Sequence, residues 1–121
     1  MNRLFEASLG PARMETTGLH AATWSPPADV YETADRFVIQ IELPGVDEDD
    51  VLVQVEADQV TVKGERRLKA GTRPECFHRM ERSYGAFSRT FQLTEEVDPD
   101  VAAARFRDGL LQLEAPKVRR R

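Results

Sequence analysis

From Ala28 onward the chain alternates apolar and polar residues with a period of two, the signature of half-buried β-strands. In RFVIQIEL, Phe37, Ile39, Ile41 and Leu43 share one face, and the run closes at Pro44-Gly45, a turn pair. VLVQVE places Val51, Val53 and Val55 together after the acidic stretch Asp47 to Asp50. QVTVKGE follows across a short Ala57-Asp58 connection, with Val60 and Val62 turned inward. AFSRTFQL is the next strand, and AAARFRDGLLQLEAP reads as a hairpin joined at Asp108-Gly109. Strands at this spacing without a convincing long helix predict an all-β fold, an antiparallel β-sandwich.

Two stretches break the rhythm. Residues 1–27 show no sustained period and read as a flexible arm with scattered apolar residues (Leu4, Phe5, Leu9, Trp24), ended by Pro26-Pro27. Residues 28–117 then form the domain, and 118–121 a short basic tail. The second break, Arg66 to Gly85, is longer than a compact domain tolerates without purpose. Its latter half, Cys76 to Glu81, has strand character, which predicts a short strand pairing elsewhere, on another subunit if not on its own.

One residue defies the alternation. In FSRTFQL, Arg89 falls on the apolar face with Phe87, Phe91 and Leu93. A guanidinium there persists only if carboxylates or carbonyls meet its donors. The loop offers Glu75 and Glu81, backbone carbonyls are an equal alternative, and a bulge turning the side chain to solvent is the third.

Composition narrows the function. A chain of 121 residues is one domain, and a net charge of −4 argues against an extended nucleic-acid footprint; the basic cluster Lys117 to Arg121 reads as a solvated tail. A single cysteine, Cys76, excludes an internal disulfide and favours a reducing compartment, so the cytoplasm is expected. No apolar run is long enough for a membrane span. The two histidines, His20 and His78, are too few and too scattered for a metal centre. Cys76 and His78 lie two apart with no third residue to orient them, and no phosphate loop or nucleophile elbow is present. No enzyme, cofactor or metal is expected.

Three segments, in order, carry a family likeness: WSPPADVYETADRFVIQIELPGVDEDDVLVQVEADQVTVKGER, then FHRMERSYGAFSRTFQL, then ARFRDGLLQLEAPK. From about Trp24 to Lys117 the chain resembles the small heat-shock proteins with an alpha-crystallin domain, of the bacterial and plant type. The resemblance implies an immunoglobulin-like sandwich of seven or eight strands and an ATP-independent holdase that keeps unfolding client proteins from aggregating. It also implies a homodimer in which the loop strand, through Glu75, Phe77, His78, Arg79 and Glu81 and with Arg89 nearby, pairs with the partner's edge near Val38–Ile41 or Val30–Tyr31. A groove between the strands of Val51, Val53, Val55 and of Ala103, Phe106 would take tails or clients, and Leu4, Phe5, Leu9 and Trp24 would contact clients from the arm. The family's usual C-terminal pair of apolar anchors is replaced by PKVRRR, where Val118 has no apolar partner at Arg120, so dimers or small assemblies are expected. The alternative is a co-chaperone or adaptor on the same sandwich, like the CS-domain proteins, which bind a dedicated folded partner.

Overall fold

The structure is a computed structural model and describes residues 24–118. Seven strands form two antiparallel sheets: β1 (Ala28–Glu32), β2 (Arg36–Glu42), β3 (Val51–Glu56), β4 (Gln59–Arg66), β5 (Gly85–Gln92), β6 (Ala103–Arg107) and β7 (Leu110–Pro116). One sheet runs in the order β1-β2-β7-β6 and the other in the order β3-β4-β5. Their inner faces meet in one core of Phe37, Ile39, Ile41 and Leu43 from β2 and its exit, valines from β3 and β4, Phe87 and Phe91 from β5, and Leu111 and Leu113 from β7. These are the positions that the period of two selects, and the sandwich exists to bury them.

The turns follow from local chemistry. Pro44-Gly45 makes a tight turn in which Val46 N–H donates to Leu43 O at 3.2 Å, and Gly45 supplies the positive φ of 82° that the turn needs. Asp108 and Gly109, with φ of 53° and 79°, form the tight hairpin expected between β6 and β7. The Ala57-Asp58 turn between β3 and β4 carries a surprise, because Ala57 adopts φ 45°, a left-handed conformation unusual for alanine. Tertiary bonds hold it there: Ala57 O accepts from Val97 N–H at 2.8 Å and Asp58 O from Leu93 N–H at 2.7 Å.

The same crossing segment ties the far end of the molecule. Asp98 N–H donates to Pro116 O at 2.9 Å, Val118 N–H to Glu96 O at 3.0 Å and Lys117 N–H to Asp35 O at 2.9 Å. Lys117 Nζ reaches Glu32 at 2.6 Å and Glu95 at 3.2 Å, closing one end of the sandwich over Phe37.

Packing begins at Trp24, ahead of the boundary expected at Ala28. Trp24 bridges to Phe87 in β5, its Nε1–H donates to Gly85 O at 2.9 Å, and Pro26 is fully buried. The loop from 67 to 84 makes no strand within its own chain: Pro74–Cys76 forms a single 3-10 turn and the remainder is irregular. The physical reason is plain: a strand is defined by its ladder, and this segment finds no edge to pair with in its own chain.

Candidate functional site

Arg89 settles the question posed by its parity. It lies on the inner face of β5 as expected, half-buried, and Nη1 donates to Pro26 O at 2.6 Å while the guanidinium stands 4.8 Å from the Phe91 ring centroid. The partner is thus a backbone carbonyl of the chain entering the domain. The two carboxylates considered for this role are exposed on the loop and paired locally, Glu75 with Arg73 at 3.7 Å and Glu81 with Arg79 at 2.9 Å.

A second arginine, missed in the sequence reading, is buried more deeply. Arg66 is 6% exposed at the end of β4. Its Nε donates to Pro44 O at 3.0 Å, its Nη1 to Ser83 O at 2.7 Å, and its guanidinium lies over the Trp24 ring. Burial, then the neighbouring charge of Arg82, holds its pKa below the ordinary arginine value. The signal was available: Val60, Val62, Gly64 and Arg66 share one parity, so the inner face of β4 runs straight into Arg66. Gly64 on that face has no room for a side chain, since a Cβ there would stand 2.1 Å from Asp50 O and 2.9 Å from Phe87 Cζ.

These contacts position the free edges of the sandwich. The Arg89–Pro26 and Trp24–Phe87 contacts set β1 beside β5, which leaves β6 and β3 at the opposite side. Of the two edges considered for a partner's strand, Val38–Ile41 is excluded, because β2 is paired on both sides, to β1 and to β7. β1 has a partner on one side only, and Val30 and Tyr31 on it are 46% and 50% exposed. The loop residues expected to cross lie in the open: His78, Arg79 and Met80 are exposed, and Phe77 is half-buried edge-on against Tyr84, with centroids 6.5 Å apart.

The groove residues divide. Val51, Val53 and Val55 are buried in the core, so their side chains do not line an open groove, whereas Ala103 and Phe106 of β6 are half-buried at the edge. What β3 presents at this side is its unpaired main-chain edge, since it pairs with β4 alone. Of the arm residues, Leu4, Phe5 and Leu9 lie outside the described residues, and Trp24 is seated half-buried against Phe87 rather than free.

Cys76 is a free, exposed thiol and His78 is exposed beside it on the loop. Among the described residues no group of three or more histidine, cysteine or acidic side chains is placed to hold a metal ion, and no helix is long and apolar enough to cross a membrane.

Comparison with known proteins agrees with this architecture. The sequence model of the Hsp20/alpha crystallin family matches residues 29–121. The spore protein SP21 of Stigmatella aurantiaca is 41% identical over 92 residues, covering 76% of this chain and 54% of that protein. The 17.6 kDa class I heat shock protein 1 of Arabidopsis thaliana is 40% identical over 91 residues, 74% of this chain and 59% of that protein. Among solved structures, heat shock protein 16.0 of Schizosaccharomyces pombe superposes with a TM-score of 0.73 at 35% identity, covering 79% of this chain and 89% of that one. The chain spans a little over half the length of the curated relatives it matches. With two antiparallel sheets in this order and a matched span of this length, the chain belongs to the Hsp20/alpha crystallin family of small heat-shock proteins.

Proposed function

We propose that the chain is an ATP-independent holdase: it binds unfolding proteins, keeps them from aggregating under stress, and does so as a homodimer in the cytoplasm. Membership of the small heat-shock proteins supports a chaperone role. The observation that carries the finer reading is the pairing of an open acceptor with a donor that has no ladder of its own. The acceptor is the free edge of β1, flanked by the exposed side chains of Val30 and Tyr31. The donor is the 67–84 loop, which makes no strand in its own chain. Main-chain hydrogen bonds across such an edge read extended backbone rather than sequence, which suits both an identical partner and a disordered client. The edges of β3 and β6, with Ala103 and Phe106 between them, form a second surface of the same kind for an extended segment. The lone cysteine is compatible with a reducing compartment.

The test is light scattering from a heated, aggregation-prone enzyme, with and without the chain and without nucleotide. Suppression at near-stoichiometric amounts is expected. No effect on several unrelated clients overturns the holdase reading.

A further inference from the structure

Where β4 ends and the chain turns back toward β5, there is an open cleft of ≈ 540 Å³. Its wall carries four cationic side chains, Arg66, Arg67, Lys69 and Arg82, against two carboxylates, Asp47 and Asp50. Arg67 and Asp50 neutralise each other through a two-point contact, Nε to Oδ2 at 3.0 Å and Nη2 to Oδ1 at 3.2 Å. Setting Asp47 against Lys69 leaves Arg66 and Arg82 as two positive charges in excess on the wall, with Glu65, outside the wall, held on Arg67 at 3.6 Å. Among the described residues neither arginine meets a carboxylate. Both donate instead to the same backbone carbonyl, Pro44 O, at 3.0 Å from Arg66 Nε and 3.1 Å from Arg82 Nη2.

Two guanidiniums drawn onto one neutral acceptor repel each other. Burial first, and then that repulsion, lower the Arg66 pKa. The neighbourhood is built to keep them there regardless. Gly45 has no side chain, and a Cβ at that position would stand 2.6 Å from Arg82 Nη2, so glycine is what admits Arg82 to the carbonyl. Arg66 is fixed by Ser83 O and the Trp24 ring. The donors are also under-used. A guanidinium carries five N–H groups, and Arg82 commits one nitrogen, Nη2, to an acceptor among the described residues. The Lys69 ammonium has no acceptor among them.

We infer that this cleft is an oxyanion site that takes a phosphoryl dianion, with Arg82 and Lys69 supplying the donors that grip it and Arg66 the fixed charge behind them. A dianion matches the excess of two charges, whereas a single carboxylate leaves one cation uncompensated. The three oxygens of a phosphoryl group also suit donors drawn to one cleft from separate segments, from β4, from the start of the loop and from its end.

The site is tested on the full chain by calorimetry and amide NMR, titrating inorganic phosphate at constant ionic strength against a sodium chloride control. Saturable binding, one phosphate per chain, is expected, with shifts centred on Gly45, Arg66, Lys69 and Ser83. Arg82→Gln weakens binding by about tenfold or more, the loss of one charge-assisted contact. Lys69→Gln weakens it to a lesser degree. Arg73→Gln, which removes a loop arginine that pairs with Glu75 outside the cleft, leaves it unchanged. Phenyl phosphate separates two sources of the same group. Affinity equal to that of inorganic phosphate identifies a phosphoryl group borne on a larger molecule, and much weaker binding identifies free phosphate. If Arg82→Gln does not fold, Lys69→Gln carries the test. A linear response matching chloride, or variants that bind phosphate as well as the parent, overturns the proposal.

Discussion

The guanidinium of Arg66 lies 4.4 Å from the centroid of the Trp24 ring, so a buried cation at the end of β4 is roofed by the first described residue of the chain. The contact replaces the carboxylate that a buried arginine ordinarily requires, with the π face and two carbonyls sharing its charge. Arg66→Ala therefore strips Ser83 O of its donor and Trp24 of its partner together. A loss of about 2–3 kcal/mol is expected, and Arg66→Lys recovers less than half because an ammonium cannot reach both carbonyls in one plane. Urea midpoints of the two variants check this, and unchanged midpoints contradict it.

Arg89→Ala is expected to cost less, about 1–2 kcal/mol, because its partner is a neutral carbonyl at a half-buried site and no opposite charge is orphaned. The damage should be local to the entry segment. Hydrogen exchange at Glu42, whose N–H donates to Pro27 O, should quicken more than exchange at Val60 or Val62 in the core.

Gly64→Ala tests the close approach beneath Arg66. The new methyl meets the Asp50 carbonyl and the Phe87 ring, and backbone cannot yield as a flexible side chain does. A destabilisation of about 2–3 kcal/mol is expected in thermal or chemical unfolding. Gly71→Ala is the control for the positive-φ loop glycine, where a Cβ meets nothing within 4 Å and only the left-handed backbone, φ 88°, resists.

Lys117 supplies a pH dependence with a definite sign. Its hydrogen bond to Glu32 comes first, with Glu95 adding to it, and they raise its pKa above the ordinary 10.5. A raised lysine pKa contributes stability that is complete below the unfolded value and is lost as pH climbs through the folded one. Lys117→Met should melt below the parent at pH 7, and the gap between the two should close in alkaline solution above pH 10.5. A gap that stays constant across that range would show that the Lys117 charge, which stands 5.2 Å from the Phe37 ring centroid, does not do the holding.

Removal of the loop addresses assembly. With residues 68–77 deleted, the donor segment is gone while both sheets keep their strands. Sedimentation should then report monomers where the parent sediments as a dimer; a dimeric deletion variant excludes the loop as the exchanged element.

What the sequence disclosed and what it hid follow from the range over which each signal acts. Alternation is local, so the strands β2 to β7 and the inner faces of Ile39, Val53, Val62 and Phe91 were legible, and so was the inward parity of Arg89, whereas β1, exposed from Asp29 to Glu32, was not read as a strand. Its partner was not, because Pro26 is sixty-three residues away and a carbonyl leaves no mark on a sequence. Arg66 was overlooked although parity placed it, since the strand was expected to end before it. Pairing order is silent in periodicity as well, and only the fold shows that β2 is interior and β1 is the edge. The left-handed φ at Ala57 carries no compositional cue, because the two-residue turn rather than the residue type demands it, and the Leu93 and Val97 bonds that brace it come from another segment.

The order β1-β2-β7-β6 joins strands from opposite ends of the domain, with Arg36 paired to Pro116 and Phe37 to Ala115. On a ribosome this has a definite schedule. The three strands β3, β4 and β5 are consecutive and can zip together as they emerge, whereas Phe37, Ile39 and Ile41 wait with only β1 beside them until β7 is translated. Loop closure over that span is slow, and an apolar strand left half-paired during synthesis is prone to join the wrong neighbour. Each newly made copy thus passes through a sticky, incomplete form of its own, and under the proposed holdase function it is for that interval a candidate client of the finished protein.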